Sequence, residues 1–475
     1  MRLNRYEQVL ESWASATGGL SSIMAAASRS ARQAVAAPSP REEALRDVAA
    51  SVAAPLLAGF VLWVLQRAQD ADLKRLYFVS RDGQILLELA RRLSPRLERS
   101  CELRYLYASR QAWWVPAASA AISHQLEPLV TETGHVSIRS ILGRLSVEPE
   151  EIGEGLEELG FRESDWSHDL SPRARQEMRA IIHDGVLRQI IERSTAPKRA
   201  LLMRYLKQEG LLDGEDWALV DLGWRGTLQK ALGVLLANAS AGLPRGLYFG
   251  IMTTPFLGIA TPSLEASCGP MEAYLFDERS RRGTATIGPE ATQMIEAFCT
   301  GTDGALIGYQ ADGEQVTPML VTPVNRPALE AGLPLVRETI CRFSEDLALR
   351  PGSVNSDADV RPATSAILKA FWRSPAPSAA AAWATFPFEL NLARAESTQL
   401  ATRFSWSDVV DAFRTGVLGR RHWRPWVAGS LVITPAAVRL ALRASTPAGR
   451  ALRRMLRPLK HAIGRVRATG YTSID

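Results

Sequence analysis

Two segments that each lead from an apolar strand into an amphipathic helix constrain the fold of this chain most. The first is 80–83 (Ser-Arg-Asp-Gly), which follows the apolar run 76–79. The second is 221–227 (Asp-Leu-Gly-Trp-Arg-Gly-Thr), which follows 218–220. An α/β sheet binds its ligand outside the carboxyl ends of its strands, and the unpaired N–H groups of a helix N-terminus attract phosphate. Two such turns in one domain predict a ligand with more than one phosphate, or a phosphate bound together with a metal ion.

The alternation of strands and helices predicts an α/β fold with a Rossmann-like, mostly parallel sheet, a helical insertion and a helical C-terminal region. Residues 75–80, 84–93 and 102–109 have the pattern of strand, helix and strand, and such a unit has parallel strands with a right-handed crossover. The insertion has helical periodicity and no strand signal. The other predicted elements are strands at 217–220, 246–252 and 273–276, a β-hairpin at 305–309 and 315–318 with an Asp-Gly turn, and helices at 45–70 (42–71 at its widest), 137–145, 149–159, 171–193, 197–208 and 227–237.

Composition and pattern together divide the chain into six parts. These are a loosely attached helix and linker (1–44), the first part of the α/β core (45–124), a helical insertion that forms a lid or acceptor region (125–212), the second part of the core with the hairpin (213–325), a helical C-terminal region (326–435) and a basic amphipathic tail (436–475). Between Asp411 and Asp475 the chain has thirteen Lys or Arg residues and no acid, so its net charge of +6 arises near the C-terminus.

Several features indicate a cytoplasmic protein. The four cysteines are widely spaced, with no Cys-x-x-Cys pair and no histidine at zinc spacing, as in a reduced compartment. Charged residues occupy the N-terminal positions at which a signal peptide would be apolar. The most apolar window, 52–65, contains Pro55 and is shorter than the roughly 20 residues that cross a bilayer. We therefore expect a buried helix there.

The C-terminal tail alternates apolar and basic residues in the pattern of an amphipathic helix. Such a helix can lie on an anionic membrane, or it can dock on the rest of the chain, which is net acidic. The first possibility would place the protein peripherally at the inner face of the membrane. We do not expect nucleic acid as a partner, because no base-stacking platform or known module accompanies the charge.

The first turn has residue types suited to a pyrophosphate group. Gly83 lets the backbone turn and lets a phosphate approach closely. Arg81 can bind a phosphate through two parallel hydrogen bonds, and Asp82 can orient Arg81, bind a metal ion or act as a base. Ser109 and Arg110, after the second strand, would add a hydroxyl and a cation to the same site. The alternative is a tight turn in which Asp82 caps the next helix, with Arg110 on the surface.

The second turn is the more specific signal. Backbone N–H groups of Arg225, Gly226 and Thr227 can surround one phosphate, and Asp221 can face a sugar diol or a magnesium ion. The spacing is not that of a P-loop or of a dinucleotide-binding fingerprint. The alternative is a glycine-bearing turn in which Asp221 caps the following helix.

The string 77–83 resembles the first motif of haloacid dehalogenase-type phosphatases, in which four apolar residues precede Asp-x-Asp-Gly. In that family the first aspartate forms a phosphoaspartyl intermediate and binds magnesium. Ser80 stands at this position here, and no neighbouring histidine is present to activate it. The resemblance therefore does not support a phosphatase.

The second turn resembles the substrate loop of phosphoribosyltransferases, which holds the 5-phosphate and ribose hydroxyls of phosphoribosyl pyrophosphate. Asp221 matches the first acid of that loop, Gly226 its glycine and Thr227 its phosphate-binding hydroxyl, and 80–83 matches the pyrophosphate loop. The chain departs from the pattern at Leu222, which replaces the second acid.

A closer resemblance, over roughly residues 45–310, is to bacterial proteins of surface-polysaccharide gene clusters that share the S-R-D-G and D-x-G-W-x-G-T-x-Q turns. It implies a glycan phosphoribosyltransferase that transfers ribofuranose 5-phosphate from phosphoribosyl pyrophosphate to a glycan or lipid-linked glycan, with magnesium as cofactor. It also implies a partner phosphatase and glycosyltransferases. A haloacid dehalogenase-like phosphatase and a non-catalytic sugar-phosphate-binding assembly module remain the alternatives.

On this hypothesis Asp82, Asp221 and Glu296 are catalytic, Asp82 or Glu296 being the base, and Asp82 and Asp221 bind the metal ion. For Glu296 the alternative is a solvated carboxylate at a helix end. The predicted substrate-binding residues are Ser80, Arg81, Gly83, Ser109, Arg110, Gly223, Trp224, Arg225, Gly226, Thr227 and Gln229.

Overall fold

A five-stranded parallel sheet lies at the centre of the fold, which confirms the predicted α/β class. The computed structural model describes residues 3–97, 101–118, 137–144, 149–183, 185–238, 242–252, 269–279, 289–353, 358–391, 396–415, 417 and 424–446. The strands are β1 (Arg75–Val79), β2 (Glu102–Leu106), β3 (Trp217–Asp221), β4 (Arg245–Ile251) and β5 (Met271–Asp277). Their order in the sheet is β2-β1-β3-β4-β5.

The direction in which strands are added to the sheet reverses between β1 and β3. From β1 the chain first passes to β2 on one side and later returns to β3 on the other side, and each of these pairs is parallel. Phe78 of β1 is in register with Val220 of β3. The turns that follow β1 and β3 therefore leave the same edge of the sheet side by side. Doubly wound sheets bind their ligands at such a switch point.

The burial of the strands explains why their sequences are apolar. All five residues of β1 are buried, as expected for a parallel strand that is covered on both faces. The edge strand β2 is buried only at Leu106. One face of the sheet contributes to the largest hydrophobic core, which also includes helices from both ends of the chain. The other face packs under the helix Val186–Gln208.

Helices surround the sheet, and two small antiparallel sheets flank it. The predicted hairpin is present as β6 (Leu306–Asp312) and β7 (Gln315–Leu320). A second hairpin, β8 (Pro387–Asn391) and β9 (Glu396–Gln399), lies in the C-terminal region, for which only helices were predicted. The α-helices are Arg5–Ser12, Leu20–Ala34, Pro40–Val48, Ala54–Asp70, Gly83–Leu93, Arg110–Ala118, Ile138–Arg144, Gly153–Glu158, Pro172–His183, Val186–Gln208, Thr227–Asn238, Thr292–Phe298, Arg326–Glu330, Leu333–Leu349, Arg361–Arg373, Pro377–Ala384, Trp406–Thr415 and Val427–Ile433.

The apolar window at 52–65 forms part of a buried helix, as predicted. A short π-helical segment, Ala49–Ala53, joins Pro40–Val48 to Ala54–Asp70, so that the helix is continuous from Pro40 to Asp70. By length and composition it is the one described helix that could cross a membrane, with a mean hydropathy of 2.2 in its most apolar window. However, 89% of that window is buried inside the protein, which is the packing of a core helix.

The helical insertion is confirmed, although one of its predicted boundaries is wrong. It has a hydrophobic cluster of its own, in which Ile141, Leu156 and Trp166 are buried. We expected a break between helices at 194–196, before Pro197, but the helix Val186–Gln208 continues through this proline. Proline in a helix removes one hydrogen bond, and the burial of the second half of this helix against the sheet outweighs that loss. The break lies instead at Gly185, whose φ is 73°.

The prediction that residues 1–44 are loosely attached is wrong. Leu10, Leu20 and Met24 are fully or almost fully buried in the main core. Glu7 and Arg32 form a buried ion pair, with 3.1 Å between Oε1 and Nε. The many alanines and serines of this segment let helices approach closely, so a composition that is typical of linkers here belongs to tightly packed helices. Residues 447–475 of the predicted tail lie outside the described part of the chain.

Candidate functional site

The first turn is held by hydrogen bonds on both sides. The Ser80 hydroxyl donates to the carbonyl of Ala108 (2.9 Å) and accepts from the N–H of the same residue (3.1 Å). The Gln84 amide bonds to Thr302, whose backbone N–H donates to it at 2.9 Å. A methyl group on Gly83 would lie only 2.7 Å from the backbone of Phe78, so a glycine is required where the chain turns back over β1.

The second turn folds tightly around Asp221. The Asp221 carboxylate accepts hydrogen bonds from the backbone N–H groups of Leu222 and Gly223. Gly223 has a φ of 119°, and a methyl group on it would clash with the carbonyl oxygen of Gly250. The Leu222 side chain is 1% exposed and belongs to the main core. Phosphoribosyltransferases have their second acid at the position of Leu222. In this protein the side chain at that position packs in the core and cannot bind a ligand.

Trp224 connects the second turn to a carboxylate from a distant part of the chain. Its ring stacks on Phe276, with 5.6 Å between centroids and 9° between planes. Its indole N–H donates to Oε1 of Glu296 at 2.7 Å. Glu296 comes from the helix Thr292–Phe298. It is thus a half-buried, hydrogen-bonded carboxylate and not a solvated one, while its catalytic role stays a prediction.

Three carboxylates lie close enough at this edge of the sheet to influence one another. Desolvation, and then the charge of Asp82, raise the pKa of Asp221 to about 8, although the two backbone hydrogen bonds oppose the shift. Desolvation and the same charge raise the pKa of Glu296 to about 7, against the Trp224 hydrogen bond and the charges of Arg81 and Arg110. Asp82, Asp221 and Glu296 are half-buried, so all three remain partly accessible to water at this edge of the sheet.

Three arginines accompany these carboxylates. Desolvation lowers the pKa of Arg110, the nearby Arg225 lowers it further, and Glu296 opposes the shift. Arg110 is nevertheless exposed to solvent, so a ligand in solution can reach it. We call the set Arg81, Asp82, Arg110, Asp221, Arg225 and Glu296 the switch-point site. Cations crowded beside one another are suited to a ligand that carries several negative charges.

The remaining predicted substrate-binding residues have different positions. Gln229 is buried and donates to the carbonyls of Pro244 (2.9 Å) and Pro270 (3.1 Å), so it supports the residues that lead into β4 and β5 and is not accessible to a ligand. Ser109 accepts a hydrogen bond from the N–H of Ala112 and caps the helix Arg110–Ala118. These two assignments are corrected to structural roles. Gly226 and Thr227 lie where the helix Thr227–Asn238 begins, as predicted.

The capping alternatives receive no support from the geometry. Asp82 stands at the N-cap of the helix Gly83–Leu93, but its side chain makes no capping hydrogen bond there. The backbone bonds to the Asp221 carboxylate come from Leu222 and Gly223, ahead of the helix that begins at Thr227. Both carboxylates are therefore placed by their turns and not by helix capping.

Sequence reasoning missed Tyr105 and Asp303. Asp303 follows Thr302 in the loop that bonds to Gln84. Burial raises the pKa of Tyr105, and the charges of Asp303 and Asp82 add to that shift. The Tyr105 hydroxyl oxygen is buried without a hydrogen-bond partner within the described part of the chain. The feature of the sequence that could have indicated Tyr105 is its place in the second predicted strand, which lies next to β1 in the sheet.

The donor set fits a magnesium ion that is shared with a phosphorylated ligand. Within the described ranges, no group of three or more His, Cys, Asp or Glu side chains could hold a metal ion by itself. Magnesium usually needs only one or two carboxylates together with phosphate oxygens and water. Asp82 and Asp221 would supply these carboxylates, and a cation would counter the repulsion between them, which adds to the effect of desolvation in raising the pKa of Asp221.

Comparison with known proteins identifies no family for this chain. No protein-family model matches the chain, and no curated protein matches it.

Proposed function

We propose that the protein is a phosphoribosyltransferase that transfers ribofuranose 5-phosphate from phosphoribosyl pyrophosphate to a glycan acceptor in surface-polysaccharide biosynthesis. One observation carries this proposal. The two turns meet at the topological switch point, where Asp82, Asp221, Arg81 and Arg225 are joined by Arg110 and Glu296 from neighbouring helices. A sugar that bears a phosphate at one end and a pyrophosphate at the other has the charges and the two anchoring points that this arrangement suits.

The roles of individual residues follow from their positions. Arg81 and Arg110, beside Glu296, neutralise the departing pyrophosphate. The N–H groups at the start of the helix Thr227–Asn238 hold the 5-phosphate. Asp221 faces the ribose hydroxyls or the metal ion. Glu296 accepts the proton of the acceptor hydroxyl, since a base with a pKa of about 7 is poised for proton transfer near neutral pH.

Magnesium, held by Asp82 and Asp221, would supply charge neutralisation for the pyrophosphate leaving group. The helical insertion would act as a lid that excludes water from the reactive sugar. A glycan or lipid-linked glycan is the acceptor in this proposal. A phosphatase that removes the 5-phosphate and glycosyltransferases that extend the glycan are the partners, at the cytoplasmic side of the membrane.

A phosphatase of the haloacid dehalogenase type is a weaker candidate. Such an enzyme needs a free carboxylate nucleophile at the position of Ser80. The hydroxyl of Ser80 is engaged with Ala108 as both donor and acceptor, so it lacks an activating base and is turned toward the backbone.

The test measures pyrophosphate release from phosphoribosyl pyrophosphate with magnesium and a panel of glycan acceptors. Arg81→Ala and Asp221→Asn should each lower the rate by about a hundredfold or more, because the first removes a cation that neutralises the departing pyrophosphate and the second removes a proposed ligand of the metal ion. Arg326→Ala and Asp312→Asn, at exposed positions outside the switch-point site, serve as matched controls and should retain full activity.

Three outcomes would contradict the proposal. Full activity in Arg81→Ala and Asp221→Asn would refute the site. Magnesium-dependent phosphatase activity that Asp82→Asn abolishes would restore the phosphatase. Binding of phosphoribosyl pyrophosphate in a thermal-shift assay, without turnover on any acceptor, would indicate a non-catalytic binding module.

A further inference from the structure

The helix Trp406–Thr415 has a buried face that fixes its orientation. Ala412 is 1% exposed and packs with Phe404, Val438 and Leu442 in a small hydrophobic cluster separate from the main core. A buried ion pair reinforces this packing. Arg424 donates to both carboxylate oxygens of Asp408, at 3.2 and 3.0 Å. The helix therefore cannot rotate to bury its outer face.

The outer face of this helix is also apolar. Trp406, Val410 and Phe413 follow one another at the i, i+4 and i+7 spacing of a single helix face, and Val417, beyond the end of the helix, is exposed as well. Their exposed fractions are 60%, 50%, 46% and 52%. No described part of the chain covers this line, which we call the Trp406 stripe. A cluster of large exposed apolar side chains on one surface marks an interaction site.

The charge around the Trp406 stripe restricts what can bind to it. Between Asp411 and Asp475 the chain carries thirteen Lys or Arg residues and no acid. Arg403 and Arg443, on either side of the stripe in sequence, are exposed. A second copy of the chain would bring the same positive charge to this surface, whereas an anionic surface would be attracted to it. An aromatic and aliphatic line in a segment that also carries exposed arginines is the composition of a surface that lies in a membrane interface.

We propose that the Trp406 stripe binds the protein to an anionic lipid bilayer. Trp406 and Phe413 enter the boundary between headgroups and acyl chains, and exposed arginines of the same region, such as Arg403 and Arg443, contact the phosphates of the headgroups. This surface consists of described residues that are distinct from the switch-point site, so the proposal stands or falls independently of the proposed reaction.

The experiment is co-sedimentation of the full chain with vesicles of phosphatidylcholine alone or of phosphatidylcholine mixed with phosphatidylglycerol. We expect binding to the mixed vesicles only, and we expect it to weaken with added salt, which screens the headgroup charge. Replacing both aromatic side chains (Trp406→Ser with Phe413→Ser) should lower the bound fraction by about tenfold, since apolar burial contributes much of interfacial binding.

The matched control is Leu243→Ser with Leu349→Ser. It removes two apolar side chains that are 58% and 71% exposed outside the stripe, and it should bind as the unaltered chain does. An unchanged circular dichroism spectrum would show that both double variants are folded. Equal sedimentation of the stripe variant and the unaltered chain would overturn the proposal, as would equal binding to neutral vesicles. A dimer that the stripe variant dissociates, without any vesicle binding, would identify a second copy of the chain as the occupant instead.

Discussion

At the scale of single residues, the hydrogen bond from Trp224 to Glu296 tunes the proposed base. Desolvation and the charge of Asp82 raise the pKa of Glu296 to about 7, and the indole N–H opposes them because it stabilises the ionised carboxylate. The functional form of a base is the deprotonated one. We therefore expect activity to fall as the pH is lowered through about 7, when Glu296 takes up a proton.

Trp224→Phe tests this coupling. The variant keeps an aromatic ring against Phe276 but cannot donate to Glu296, so the pKa of the carboxyl should rise further. The acidic limb of the pH–rate profile should move to higher pH by about one unit, which corresponds to the loss of one hydrogen bond to a charged group. Trp217→Phe, which removes an indole hydrogen bond to the carbonyl of Leu211 at the opposite end of β3 from the site, is the control. An acidic limb that does not move in Trp224→Phe would exclude Glu296 as the base.

The residues of the switch-point site were predictable from sequence to different degrees. Arg81, Asp82 and Asp221 belong to local strand–turn–helix patterns, and such patterns can be recognised from the sequence alone. The burial of Glu296 could not be predicted from the sequence, because Trp224 and Asp82, which lie near its carboxylate, are distant from it along the chain. Gln229 was misassigned since a helical position near a turn does not reveal which way the side chain faces, and its amide proved to bond to two loop carbonyls.

At the scale of elements, Gly223 limits what the second turn can tolerate. Its φ of 119° strains any other residue, and a methyl group would also meet the carbonyl oxygen of Gly250, a backbone atom that cannot move aside. Gly223→Ala should therefore destabilise the protein by about 3 kcal/mol. Gly313, in the β6–β7 hairpin, has a φ of 60° and open space around it, so Gly313→Ala should cost only about 1 kcal/mol. Urea unfolding measures both values, and equal losses would contradict the steric argument.

The helix Trp406–Thr415 provides an element whose stability depends on pH. Desolvation raises the pKa of Asp408, but hydrogen bonds from the backbone and hydroxyl of Ser405 and the charge of Arg424 together lower it below its ordinary value of 3.8. A carboxyl with a lowered pKa stabilises the fold above its unfolded pKa, and that stability is lost as the pH falls through the folded pKa. We expect the packing of this helix to weaken below about pH 4.

Asp408→Asn should remove this acid dependence and should cost about 3 kcal/mol at pH 7, because Arg424 is left buried without its partner. Thermal unfolding followed by circular dichroism as a function of pH is the measurement. Asp411→Asn, on the same helix and without an ion pair of this kind among the described contacts, is the control and should change little. An acid dependence that persists in Asp408→Asn would assign it to another group.

At the scale of the whole molecule, the sequence predicted the class of fold but not how helices that are far apart in the chain pack on one another. The sheet and the helical insertion follow from periodicity and from turn residues, which act locally. The packing of the helix Leu20–Ala34 on the helix Leu333–Leu349 does not follow from such local patterns. Small residues such as Ala27 and Ala31, both fully buried, permit that close approach, but alanine is equally common in linkers. Only the three-dimensional contact distinguishes the two cases.

The buried pair of Glu7 and Arg32 provides the test of this N-terminal packing. Their side chains are 0% and 9% exposed, so removing one charge leaves the other buried and uncompensated. Glu7→Gln, which keeps an oxygen for the N–H of Asn4, should cost about 3 kcal/mol, as should Arg32→Met, whereas the double variant should lose much less than the sum. Glu177→Gln breaks the exposed pair with Arg173 and should cost under about 0.5 kcal/mol. Urea unfolding gives the four free energies. Additive losses, or single variants as stable as Glu177→Gln, would mean that the N-terminal helices are loosely attached after all.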